Sequence, residues 1–314
     1  MNQTYKTWTP YPNLKCLYGK EVLVAINIPS SIVSALINGM VFFLLAYKVS
    51  FTERSIICLT IADFLTATVS QPLLITVYIF ELLNDPTYYE TSLNIQRVTF
   101  YLNCVTCSAT VFSILFVIIS RYIQIRFPFT HEEIITKRRL IIVCIFIWLA
   151  SLTLSLMAWF KGISLVVFYC LILFGILTEF LIIIFVCISI LKITTKVVRD
   201  INKTRSPTKA TKTVAIIVCM FTLSLVPFGL IGFVYFLKWP SVVWTYVSDR
   251  DCTPFETTVY ATLYFYSIFL FHLHSTLNPF VYSFRDARIK RALFRFIGKP
   301  RSNMVDITNE YQGT

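Results

Sequence analysis

Charge is scarce in this 314-residue chain: 14% of its residues are charged and 56% are hydrophobic, against about 25% and roughly 45–50% in an ordinary soluble domain. Such a balance excludes a water-soluble globule and a disordered chain. Glycine is scarcer still, with eight residues, and no repeat or low-complexity tract is present, which excludes collagenous, linker-rich and solenoid architectures. The first twenty residues lack the basic start, short apolar core and small-residue cleavage site of a secretory signal. The first apolar span is therefore expected to act as an uncleaved anchor. Catalytic triads, paired carboxylates and zinc-ligand spacings are missing as well, so an enzyme is not expected. His272 and His274, two positions apart, do not share a helix face, which removes them as a joint metal site.

What the chain has instead is long apolar runs. Seven stretches, 22–48, 55–82, 96–123, 138–160, 163–193, 211–237 and 257–284, reach the roughly 20 residues a helix needs to cross a bilayer with its backbone groups bonded internally. The boundary between the fourth and fifth is the least marked, interrupted by Lys161-Gly162 and the neighbouring Trp159 and Ser164. Lysine and arginine are retained on the cytoplasmic side during insertion. With the amino terminus outside, 21 of the 28 basic residues fall on inner segments. This asymmetry accounts for the net charge of +12 through anionic lipid headgroups, and nucleic acid is not needed as a partner. After the seventh run, Ile289, Ala292, Leu293, Phe296 and Ile297 recur at helical spacing among Arg285, Arg288, Lys290, Arg291 and Arg295, the pattern of an amphipathic helix lying on the membrane surface. The expected organisation is an outer segment 1–21, a seven-helix membrane domain 22–284, a surface helix 285–298 and a cytoplasmic tail 299–314.

Seven of the nine cysteines (Cys58, Cys104, Cys107, Cys144, Cys170, Cys187 and Cys219) lie within apolar runs and read as small buried packing residues. Cys16 and Cys252 lie in polar segments on the oxidising side, where they can pair. Asn2-Gln3-Thr4 is a glycosylation sequon on the outer side; Asn202-Lys203-Thr204 lies inside and should stay bare.

Polar residues within the spans decide among the classes of multi-span protein. The first span carries Asn38 in Ile37-Asn38-Gly39-Met40-Val41, and the second carries Asp63 in Leu59-Thr60-Ile61-Ala62-Asp63-Phe64-Leu65. The third ends in Ser120-Arg121-Tyr122, and the seventh in Asn278-Pro279-Phe280-Val281-Tyr282-Ser283-Phe284-Arg285. In order, orientation and spacing these runs resemble the signature positions of rhodopsin-like G-protein-coupled receptors, over essentially the whole chain, and Trp148 and Pro227 add to the likeness. The resemblance implies a plasma-membrane receptor that binds an extracellular ligand and activates a heterotrimeric G protein. Arg121 and Tyr122 would meet that protein. Asn38, Asp63, Pro227, Asn278, Pro279 and Tyr282 would form the activation switch. Asp63 is expected to face Asn38 and Asn278, either around water or sodium or as a static polar knot between helices.

Departures from the family pattern carry information of their own. Ser120 stands where the family usually has an acid before the arginine, so Arg121 is less restrained and raised basal activity is expected. Leu225 replaces the usual tryptophan two residues before Pro227, so another side chain, Phe221 or Phe228, must transmit ligand binding. The family's disulfide between the third helix and the second outer loop is absent, with Gln96 near its helical position and no cysteine in the loop. The tiny second outer loop, the fifth span without proline and the amino-terminal cysteine are similar to melanocortin receptors, whereas Asn-Pro-Phe-Val-Tyr looks like adenosine receptors. Asn103 occupies the place of the aminergic carboxylate, which argues against amine ligands. No lysine occurs in 257–284, so a retinal cofactor is not expected. Asn103, Cys107, Glu179, Phe228 and His272 are the ligand-binding candidates, Glu179 reading equally as a protonated structural residue. The competing functions are a proton- or ion-coupled carrier using Asp63 and Glu179, and a decoy receptor that binds without signalling.

Overall fold

The computed structural model describes residues 17–48, 55–83, 89–127, 129–159, 223–234 and 255–283, together with most of 170–192. All regular structure among the described residues is helical. Helix α1 is Lys20–Lys48; α2 (Ser55–Leu65), a π-helical turn (Thr66–Ser70) and α3 (Gln71–Leu83) run on as one rod; α4 is Tyr89–Arg126, α5 is His131–Ile134 and α6 is Lys137–Trp159. Two shorter apolar helices follow, α7 (Leu173–Val186) and α8 (Leu223–Val234), and then α9 (Phe255–Ser283). Four apolar stretches, Lys20–Leu45, Ser55–Leu83, Glu90–Gln124 and Lys137–Leu156, are long enough to cross a membrane. The outer limits expected for the fifth and sixth spans, and the surface helix 285–298, lie outside the described residues.

The largest departure from the expected limits is at α4, which starts seven residues before position 96 and has 38 residues. At 1.5 Å per residue it is about 57 Å long, against a hydrocarbon core of about 30 Å. Hydropathy finds only the lipid-buried part of a helix. The polar first turns of α4 lie beyond it, with Glu90 in the first turn, where a carboxylate favours the positive end of the helix dipole.

The π-turn in the second rod has a local cause. Pro72 has no N–H, and its ring would collide with the carbonyl four residues back. The helix accommodates this with one wide turn, in which the Gln71 N–H bonds to the Thr66 carbonyl, five residues back. One extra residue rotates everything beyond it by about 100°. This rotation accompanies the outer-half contacts of the rod: Gln71 Nε2 donates to Asn27 Oδ1 on α1 at 3.0 Å, and Ser70 Oγ lies 3.3 Å from Thr106 Oγ1 on α4.

Helix α1 presents a buried polar stripe, Asn27, Ser30, Ser31, Ser34 and Asn38, at the spacing of one helix face. Ser30 Oγ pairs with Thr276 Oγ1 of α9 at 3.2 Å, and Ser31 donates to the Ala67 carbonyl of the π-turn at 2.7 Å. Small hydroxyl side chains let helices approach closely and bond across the contact where lipid supplies no hydrophobic drive. Gly39 serves the same approach, since a Cβ there would sit 3.2 Å from the Phe64 ring. Below the stripe, Val41 and Leu45 join Ile56, Leu59, Ile114, Val117 and Ile118 in a core that also takes in Val186 of α7, Leu225 of α8 and Val281 of α9. Ala62, Ala109 and Ile147 pack with Trp148 where the second rod, α4 and α6 meet.

One cysteine expectation is corrected. Cys58 of α2 and Cys144 of α6 are bonded as a disulfide across the bundle, with Cα atoms 5.9 Å apart, and do not act as separate packing residues. Nothing in their apolar surroundings marks them as partners, because their 86-residue separation is brought together only by helix packing. Cys104 and Cys107 are buried and outside any disulfide, as expected.

Candidate functional site

Three levels of the bundle carry the polar residues. The Ser120 hydroxyl on α4 bonds to Ser55 Oγ at the start of α2 at 2.9 Å and to the Val117 carbonyl at 2.8 Å. This contact fixes the register of the two helices: eight residues up from Ser55 is Asp63, and seven up from Ser120 is Ser113, both roughly 11 Å above it.

At that middle level Asp63 is fully buried, and Asn278 Nδ2 of α9 donates to its Oδ2 at 2.7 Å. Asn38, expected to face Asp63 directly, instead directs Nδ2 to the Ser275 carbonyl of α9 at 2.9 Å, to the Ser34 carbonyl at 3.0 Å and to Ser34 Oγ at 3.2 Å. It ties α1 to the backbone of α9 beside the carboxylate, its amide hydrogens being consumed there. Asp63 Oδ1, Asn38 Oδ1, Thr110 Oγ1 and Ser113 Oγ are buried with no hydrogen-bond partner. A buried oxygen left unpaired costs about 1–3 kcal/mol, and the free carboxylate oxygen of Asp63 is a group that water or a hard cation would satisfy. Pro279, next to Asn278, lies inside α9 and is buried.

The outer level holds a small cavity whose described lining is Phe100, Asn103, Cys104 and Cys107 of α4, Phe228 of α8, and Tyr264, Ile268 and Phe271 of α9. Across one side, His272 Nε2 of α9 and Asn103 Oδ1 of α4 are hydrogen-bonded at 2.9 Å. The Phe228 ring stacks on Phe271, with centroids 6.1 Å apart, and is tilted on Tyr264 at 5.9 Å. Leu225, less than one turn from Phe228, is fully buried in the lower core with Cys107 and Phe271. Cavity wall and core therefore share side chains. Four of the five ligand-binding candidates gather here: Asn103, Cys107 and Phe228 in the lining and His272 behind Asn103. Glu179 lies outside the described residues.

At the inner level, Tyr122 packs part-buried against the core, and the backbone of α4 carries Arg121 beside it. Arg126 lies 5.6 Å from the centre of the Phe127 ring, and Phe129, just before α5, is 96% exposed.

Residues 37–282 match the profile of a family described as "7 transmembrane receptor (rhodopsin family)". The chain belongs to that family. The match covers more than half of the chain and contains every motif from Asn38 to Tyr282, without distinguishing a branch near melanocortin or adenosine receptors. No curated protein matches the chain. A rhodopsin-family receptor is a multi-pass membrane protein, and the apolar helices here are built for that setting. In this receptor the structure unites the Asp63 and Asn278 positions directly and places Pro227 part-buried in α8. Asn2, Cys16 and Cys252 lie outside the described residues. Sequence reading missed the polar stripe of α1, whose spacing at 27, 30, 31, 34 and 38 was a legible signal, and the π-turn, signalled by Gln71-Pro72 inside an apolar run.

Proposed function

We propose that this rhodopsin-family chain is a plasma-membrane receptor, amino terminus outside, that binds an extracellular ligand in the cavity between α4, α8 and α9 and activates a heterotrimeric G protein at the inner ends of its helices. One observation carries the reading: a single helix serves both ends. Helix α4 supplies four of the cavity's walls, and Arg121 lies 18 residues beyond Asn103 on the same rod, about 27 Å away. A change in how α4 packs at the cavity reaches the inner face without an intermediary.

The Asp63–Asn278 bond joins α2 to α9 midway between these ends and can exchange partners as α9 bends at Pro279, where a backbone hydrogen bond is lost. Tyr282, one turn further, would move with that bend. Pro227 gives α8 the same freedom. Sodium or water on the unpaired oxygens around Asp63 would hold the resting arrangement. Arg121, Tyr122 and the exposed Phe129 form the face offered to the G protein, and Lys/Arg residues at the inner helix ends contact anionic lipid. On this reading the receptor needs no cofactor and catalyses no reaction.

The test is guanine-nucleotide exchange on a purified G protein with the receptor in lipid nanodiscs. Exchange above the receptor-free rate supports the reading. A carrier would leave that rate unchanged and instead move a proton or ion in proteoliposomes, and a decoy would do neither.

A further inference from the structure

Two neighbouring helices are interrupted at the same depth. The bonds between α1 and the second rod run in antiparallel register, Asn27 with Gln71 and Ser31 with Ala67, so Pro29 stands level with Val69 inside the π-turn. Pro29 has no N–H to give the Ala25 carbonyl, and Pro72 has none for that of Thr68. Each rod therefore lacks a helical N–H at this level, where helices bend most easily. Above it the two rods are tied to each other: Gln71 Nε2 donates to Asn27 Oδ1 at 3.0 Å and to the Asn27 carbonyl at 3.3 Å, and Leu23 is buried with Leu74, Val77 and Tyr78. Ser30, directly after Pro29, keeps its Oγ 3.2 Å from Thr276 Oγ1, a fixed point on α9 beside the break. We propose that residues 17–28 and α3 form one unit that swings on the level of Pro29 and the π-turn, and that residues 17–19 are the latch holding it shut against α9.

The latch is built from three consecutive residues. Leu17, ahead of α1, is buried among Tyr264, Phe265 and Ile268 of α9 together with Leu23, Leu74 and Val77 of the unit. The Tyr18 N–H donates to Thr262 Oγ1 of α9 at 3.2 Å. Gly19 makes the turn that permits both contacts, with φ at +75°, a left-handed backbone that glycine adopts without steric cost. A Cβ on Gly19 would lie 2.8 Å from Tyr266 Oη of α9, so only a residue without a side chain lets the strands of the latch close. Anything that takes hold of the chain ahead of Leu17 pulls on this latch first. It thereby reaches α9, the helix that carries Asn278, without entering the cavity.

The experiment measures distances by double electron–electron resonance in nanodiscs, with nitroxides carried on genetically encoded amino acids at exposed positions: Val22 and Leu83 on the unit, Phe43 below the break in α1, and Phe146 on α6. Gly19→Ala is expected to open the latch. A swing of about 20°, the size of a helix kink, displaces Val22 by about 4 Å and Leu83 by about 7 Å, since they stand roughly 10 and 21 Å above the hinge along their helices. The Val22–Phe146 and Leu83–Phe146 distributions should therefore shift together, while Val22–Leu83 and Phe43–Phe146 stay as in the wild type. Thr262→Val removes only the acceptor of the Tyr18 N–H and should broaden the same two distributions, which decides the matter where Gly19→Ala does not fold. Adding Pro29→Ala, which returns an N–H to the hinge, should reduce the shift. A change at Val22 alone makes the effect a frayed helix end, and a change in Phe43–Phe146 makes it a loosened bundle. Either result, or unaltered distributions in both latch variants, overturns the proposal.

Discussion

At the scale of single residues, the middle of the bundle is governed by what Asp63 can bond. Its Oδ2 has Asn278 at 2.7 Å and its Oδ1 has no protein partner. Replacing Asn278 by Ala takes the 2.7 Å donor from Oδ2 in a buried site, and removing one partner of a buried charged hydrogen bond costs on the order of 1.5–3 kcal/mol. Asn278→Ala is expected to lower the thermal midpoint of the receptor, whereas Asn278→Ala combined with Asp63→Asn recovers part of the loss because the charge is gone. Equal midpoints for wild type and Asn278→Ala would show that the bond contributes nothing. Ser120 is the second decisive residue. Its hydroxyl is buried against Ser55, so Ser120→Asp places a carboxylate at the inner end of α4 directly before Arg121. A charge-assisted contact with the guanidinium holds the resting state, and ligand-free nucleotide exchange should fall at matched receptor density. An equal or higher rate in the variant contradicts this account.

At the scale of elements, hydropathy placed α1, α6 and α9 because the bilayer imposes length and internal bonding on a span. The limits of α1, α6 and α9 lie within two residues of those expected, while the early start of α4 was illegible because its first turns are polar. The four motif positions were legible as residues, but their pairing was not: Asp63 and Asn278 are 215 positions apart, and nothing local says that Asn38 bonds the backbone of α9 in preference to the carboxylate. The Cys58–Cys144 bond was hidden for the same reason, since apolar flanks disguise any cysteine as packing. That bond ties α2 to α6 near their basic ends. Digestion of unreduced, alkylated receptor should yield the Cys58 and Cys144 peptides linked, and Cys58→Ser should lower the thermal midpoint, a native disulfide being worth about 2–4 kcal/mol. Recovery of both cysteines alkylated would remove the link between these helices.

At the scale of the whole molecule, the outer cavity and the inner face are separate sites on one rod, and a substitution at one end should be silent at the other unless the middle transmits it. Arg121 follows Ser120 in the last turns of α4, next to the Ser55–Ser120 contact that fixes helix register, and Cys107, the cavity residue of α4 nearest to it in sequence, is about 21 Å away along the helix. Arg121→Ala is therefore expected to reduce nucleotide exchange to the receptor-free rate while surface expression stays intact and the thermal midpoint moves by no more than about 2 °C, the scale of a surface substitution. Two measurements on one preparation then decide the matter. Undiminished exchange would remove Arg121 from the G-protein face, and loss of exchange accompanied by a collapse in midpoint would make its role one of folding.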